Sequence, residues 1–294
     1  MLCSLWTFLT LLLVAPRPAA GLQVAPAAPC QGQALFVTAP GLSAGARAAL
    51  TWDGKRYPIY PLESGWRGVI PIRIEERPGR HRVRLTYRSA QGQRQALAAA
   101  VTVDRTSFPT QRLSMARGIE KLYSYPGRKK ELATVRRALL AETPQQRWSG
   151  DFLIPTHGRY STWFGERRIR NGRLVGDHRG LDIAAPVGTP IRADNDGRVV
   201  LACALTIHGK TVVIDHGLGV TSIFLHQSAL RCHAGQRVHR GDVIGEVGQT
   251  GVATGPHLHW AVYVHGTAVS PLFWTHLPHE IPLLSSPVST DNPS

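Results

Sequence analysis

The chain has 294 residues, enough for two domains with ample core. Its 34 Lys and Arg against 19 Asp and Glu give a net charge of +15, which suits an anionic polymer as partner, either nucleic acid or an acidic cell wall. Beyond the N-terminus no stretch is long and apolar enough to cross a membrane as a helix, and none of the four cysteines has zinc-finger spacing.

In chain order, residues 1–20 read as an export signal. Leu5 to Val14 is apolar, and Ala19-Ala20 supplies small residues for cleavage. The expected location is therefore the periplasm, the cell envelope or the exterior. Residues 21–33, rich in Ala, Pro and Gln, are expected to be a linker. From 34 to 103 the pattern is one of short strands: Ala34–Thr38, Ala48–Trp52, Arg56–Tyr60, Gly68–Ile74, His81–Tyr87 and Gln95–Val103. Val83, Leu85 and Tyr87 alternate with Arg82, Arg84 and Thr86, and the set predicts a small β-sandwich. Residues 104–149 form a connector in which Leu132, Val135, Leu139 and Leu140 recur at helical spacing, predicting an amphipathic helix over Arg128–Glu142. Residues 150–274 are punctuated by glycine between strand-like runs (Arg198–Leu205, Thr211–Asp215, Val220–Leu225, Val243–Val247, His259–Val264), which predicts a bent antiparallel sheet. The Pro/Ser-rich residues 275–294 are expected to be a disordered tail. The fold class is mostly β.

Chemistry concentrates in the third region. In a strand, His257 and His259 project to the same face. His178 and Asp182 lie four residues apart, and His226 closes an apolar run. Four His and one Asp around β structure suggest a catalytic Zn²⁺ site, which takes three protein ligands and keeps a fourth position open. Spacing leaves open which of His257 and His259 is the ligand. The chain has no G-x-S-x-G, P-loop or HExxH pattern. Cys203 and Cys232 both fall in this region, and in an oxidising compartment they are expected to pair.

These motifs resemble those of the M23 metallopeptidases, the lysostaphin-type and LytM-type cell-wall endopeptidases. The likeness runs from about Phe152 to Trp274 and includes Phe164-Gly165, His178-x-x-x-Asp182, Asp215-His216-Gly217, His226 and Thr250-Gly251 through His257-Leu258-His259-Trp260. It implies one Zn²⁺ per chain held by His178, Asp182 and His259, with His226 and His257 as catalytic histidines, and peptidoglycan as the substrate. A non-catalytic regulator of a wall amidase is the alternative, against which the full ligand set weighs. The N-terminal sandwich resembles the immunoglobulin-like domain that precedes the peptidase in some of these proteins. No nucleic-acid module is recognisable, and a monomer is expected. Arg167, Arg168, Arg170 and Arg173 precede His178 around the turn signal Asn171-Gly172, and are expected to form a loop that grips the carboxylates of wall peptides.

Overall fold

The computed structural model describes residues 21–42, 47–63, 65–89, 91–113, 122, 125–170 and 172–278. The export signal at 1–20 and the tail beyond 278 lie outside them. The N-terminal strands are β1 (Gln23–Ala25), β2 (Ala34–Pro40), β3 (Ala48–Trp52), β4 (Lys55–Tyr57), β5 (Tyr60–Leu62), β6 (Gly65–Pro71), β7 (Gly79–Arg88) and β8 (Arg94–Val103). They form two four-stranded sheets, ordered β1-β2-β6-β5 and β4-β3-β7-β8. Residues 21–33 are not a bare linker. Gln23–Ala25 pairs antiparallel with β2, and Cys30 bridges to Asp104.

Strand β2 is buried along both faces, because two cores claim it. Leu35, Val37 and Ala39 point into the sandwich, against Leu50, Trp52, Val83, Leu85 and Val101. Ala34 and Phe36 point the other way, into a core shared with the C-terminal half. Phe36 packs edge-on to Trp274 at 5.5 Å between ring centroids and stacks on Phe273 at 6.3 Å. Arg67 of β6, buried on the same side, donates to Gln146 Oε1 at 2.7 Å. The molecule is thus three layers deep: the sheet carrying β7, the sheet carrying β2, and the C-terminal half.

The connector contributes β9 (Thr110–Leu113) and helix α1 (Arg128–Leu139). The helix forms near its expected position, but its buried stripe differs. Leu132 and Leu140 are 40% and 44% exposed, whereas Glu131, Val135, Ala138 and Leu139 are buried. Val135 and Leu139 pack on Val213, Ile223, Leu225 and Ala261. Glu131 turns the helix inward because its carboxylate finds several donors there, described below.

The C-terminal half holds β10 (Arg159–Thr162), β11 (Arg167–Arg170), β12 (Arg173–Asp177), β13 (Leu181–Ala184), β14 (Pro190–Arg192), β15 (Gly197–Leu205), β16 (Gly209–Gly217), β17 (Val220–Gln227), β18 (Ala229–Leu230), β19 (Arg237–Val238), β20 (Val243–Glu246), β21 (His257–Val264) and β22 (Thr267–Val269), then a short helix α2 (Pro271–Trp274). The main sheet runs β10-β13-β21-β17-β16-β15-β19, with β22 on β21. Two three-stranded sheets flank it, β12-β11-β9 and β14-β20-β18. No helix among the described residues is long and apolar enough to span a membrane.

Cys203 and Cys232 are both free, so the expected disulfide is not formed. The pleat explains why. Cys203 shares its face of β15 with Leu201 and Leu205, which pack beneath α1, while Cys232 packs against the core on the sheet's other side and points its thiol at Ile244 O, 3.5 Å away.

Candidate metal centre and active site

Strand register assembles the site. β13 and β21 pair so that Asp182 lies opposite His259 and Ala184 opposite His257, and β17 places Leu225, the residue before His226, opposite His259 on the other side. Along β21 the burial alternates: His257 and His259 are half-buried, Leu258 and Trp260 fully buried. His257 and His259 therefore share the face that Asp182 also occupies. Gly180 admits the His259 ring. A Cβ there would lie 2.7 Å from His259 Nε2 and 2.6 Å from Trp260 O.

Three donor atoms converge. His178 Nε2 lies 3.0 Å from His259 Nδ1 and 3.0 Å from Asp182 Oδ1, and His259 Nδ1 lies 2.8 Å from Asp182 Oδ1. Among the described residues, His178, Asp182 and His259 form a group able to hold a metal ion. Ligands around a tetrahedral Zn²⁺ with bonds of ~2.0–2.2 Å stand about 3.3–3.6 Å apart. The triangle is about 0.3–0.8 Å tighter, and its two imidazoles and one carboxylate are a donor set that fits the ion.

Backbone carbonyls fix the tautomers. A carbonyl only accepts, so each ring nitrogen facing one carries the proton. His178 Nδ1 donates to Trp163 O at 2.9 Å, His226 Nδ1 to Thr250 O at 2.8 Å, and His257 Nδ1 to Gly255 O at 2.8 Å. The Nε2 lone pair of each is thereby left to the site. His257 Nε2 stands 3.9 Å from Asp182 Oδ1, and the rings of His226 and His257 are 4.9 Å apart. Burial, reinforced by His257 and His259, pulls His226 down to about 3. Burial also lowers His259, to about 4, against the pull of Asp182. Burial would raise the Asp182 carboxyl, yet the close approach of His178 and His259 holds it well below the usual carboxylate range. His226 and His259 are thereby held neutral beside a carboxylate, the protonation state that a cation requires.

His226 sits at φ +64°, a left-handed conformation that a non-glycine residue rarely adopts. The surrounding structure holds it there. Its N–H donates to His208 O at 3.1 Å, and its carbonyl accepts from Thr250 N at 3.3 Å. Glu131 of α1 in turn grips the 206–208 loop. It accepts from Thr206 N and Ile207 N at 2.9 Å, His208 N at 3.0 Å and His208 Nδ1 at 2.6 Å, and from the Tyr125 hydroxyl. Burial alone would raise the Glu131 carboxyl, yet these donors bring it down to about 2.

The arginines before His178 lie on a hairpin, β11–β12, rather than an open loop. Arg167 and Arg173 are exposed. Arg168 is turned inward, and its guanidinium donates to Asp182 Oδ2 at 3.0 Å, opposite the oxygen that faces the histidines. Arg168 thus braces the carboxylate and is not available as a free carboxylate grip. The Arg170 side chain lies outside the described residues. His216, fully buried, bonds Asp196 O and Ser222 Oγ, and Ser222 and Trp260 both donate to Asp194. This network fixes β21 from behind the site. Sequence reasoning missed Arg168's contact, Glu131 and Asp194, none of which has a local pattern that announces it.

The model of Peptidase family M23 matches residues 176–271, a span that contains all five site residues. This chain carries a peptidase family M23 domain. Over 120 residues it is 38% identical to the peptidoglycan DD-endopeptidase ShyA of Vibrio cholerae, covering 40% of this chain and 28% of that protein. Over 117 residues it is 43% identical to the DD-carboxypeptidase/endopeptidase Mpg of Neisseria meningitidis, covering 39% and 26%. The chain thus spans about a quarter of the length of these curated relatives. A crystal structure of a putative peptidase M23 from Pseudomonas aeruginosa superposes with a TM-score of 0.60 at 29% identity, covering 84% of this chain and 94% of that one. Arg168 and Glu131 lie outside the matched M23 span, so both braces come from upstream of it.

Proposed function

We propose that the chain is a zinc-dependent endopeptidase that hydrolyses peptide bonds of peptidoglycan, and that it works in the cell envelope as a monomer. The observation that carries this is the convergence of His178 Nε2, Asp182 Oδ1 and His259 Nδ1 within 3.0 Å of one another, beside two histidines whose Nε2 atoms face the same centre. When bound there, Zn²⁺ supplies Lewis acidity to the attacking water and the scissile carbonyl. The chain's own residues supply the rest. Asp182, braced by Arg168, contributes one negative charge, and His178 and His259 contribute none. His226 and His257 divide two tasks at their Nε2 lone pairs: one accepts the water's proton and passes it to the leaving amine, and the other hydrogen-bonds the hydroxyl of the tetrahedral intermediate. The names of the Vibrio and Neisseria relatives support a bond between two D-residues as the target. The complete donor set argues against a non-catalytic regulator.

Purified sacculi digested with the chain and read by mass spectrometry test the reading. Cleavage at a D,D peptide bond, lost on chelation and restored by zinc, is expected. Intact sacculi with a stoichiometrically zinc-loaded protein would overturn it.

A further inference from the structure

The outermost sheet turns a row of arginines away from the M23 half. On β7 the side chains alternate: His81, Val83 and Leu85 are buried, while Arg80, Arg82, Arg84 and Arg88 are exposed. Same-face residues in a strand stand about 7 Å apart, so Arg80, Arg82 and Arg84 form an evenly spaced ladder. Their cross-strand neighbours are short. β8 places Thr102, Ala100 and Ala98 opposite Arg80, Arg82 and Arg84, and Arg94 opposite Arg88. On the other side Arg84 faces Thr51, which faces Arg56. Two shallow hollows open on this face. One, of about 550 Å³, is lined by Arg77, Arg80 and Arg82 over Ala98–Ala100. The other, of about 250 Å³, is lined by Arg47, Arg88 and Arg94. Asp53, at the edge of the first, is engaged by His81 and by the Arg82 N–H. Among the described residues no carboxylate pairs with Arg80, Arg82, Arg84, Arg88 or Arg94.

We infer that this arginine face is a second docking surface for the wall polymer, binding the free carboxylates of its peptides while the metal centre works on a bond elsewhere in the same polymer. The reading rests on the proposed substrate. Three observations select this occupant. Guanidinium forks bind carboxylates in bidentate fashion, and the small Ala and Thr neighbours leave room for an extended chain between them. By register, the large apolar and aromatic residues Trp52, Tyr57 and Leu85 of these strands point inward, so among the described residues nothing on the face inserts into a lipid surface or stacks on bases. The face also points away from the M23 half, so both surfaces can engage one extended network at once, and the second contact becomes intramolecular.

The test uses the full chain with Arg80, Arg82, Arg84 and Arg88 changed to Gln, in the parent and in a His257→Ala background that leaves sacculi undigested. Sedimentation with sacculi at low salt is expected to weaken about tenfold in the variant. Sacculi whose carboxyls have been amidated should bind the unsubstituted face as poorly. Turnover of a short soluble wall peptide and zinc content should not change. Equal sedimentation of parent and variant, indifference to amidation, or tighter arginine-dependent binding to anionic lipid vesicles than to sacculi would each overturn the inference. Arginine-dependent binding without any hydrolysis would overturn the catalytic reading and leave the docking face standing. Hydrolysis with arginine-independent binding would do the reverse.

Discussion

His257 and His259 are two positions apart on one strand, yet their imidazoles meet different partners. His259 Nδ1 touches both Asp182 and His178, while His257 reaches Asp182 only at 3.9 Å. His259→Ala is therefore expected to lose zinc, and His257→Ala to keep it while kcat falls by about 10²–10⁴. Metal content by mass spectrometry beside peptide turnover checks the contrast, and the reverse pattern would exchange the two roles. Arg168 makes a different prediction. Its contact with Asp182 Oδ2 orients a proposed metal ligand, and loss of such outer contacts costs about 10–100-fold in metal affinity. Arg168→Gln should show that loss in chelator competition, whereas Arg167→Gln, exposed on the same hairpin, should not. The candidate set His178, Asp182, His257 and His259 was legible from its spacings, and the family resemblance, not spacing, pointed to His259 among them. The Arg168 contact was not, because it depends on how the hairpin β11–β12 folds over β13, which no local pattern encodes.

At the scale of elements, α1 acts through Glu131. Helix periodicity assigned the buried stripe to apolar residues, and Leu132 and Leu140 are the ones that came out exposed. A buried carboxylate with this many donors is invisible to a hydrophobic pattern, since its stabilisation comes from backbone N–H groups on a loop 75 residues away. Its pKa is depressed, so its stabilisation is full above the ordinary glutamate value of 4.5 and is lost as pH falls towards 2. Urea melts between about pH 5 and pH 2 should show the parent losing more stability than Glu131→Gln, which has nothing to protonate in that window. Parallel losses in the two proteins would count against the brace. The loop's His208 carbonyl also holds His226 in its left-handed conformation. Glu131→Gln is accordingly expected to lower kcat with little change in zinc content.

For the whole molecule, the sandwich and the antiparallel sheet were both expected from alternation and turn residues, but their joining was not. Alternation in β2 is erased because Leu35 and Phe36 are buried on opposite faces in different cores. A strand that reads as uniformly apolar gives no hint of which neighbour each face meets. Phe36→Ala should cost about 3–5 kcal/mol, and the parent should unfold in a single transition whether followed in the sandwich or near Trp260. Two separated transitions in the parent would show that the layers fold independently.

The shared strand also sets a limit for anyone who would engineer this molecule. Excising residues 150–278 as a minimal enzyme would strip the cover from Phe273 and Trp274, which pack against Phe36, and from Ser270, whose N–H donates to Gly32 O at 2.6 Å. A graft onto another carrier must recreate that apolar seat or replace these side chains with polar ones, or the liberated fragment will find the same seat in a copy of itself.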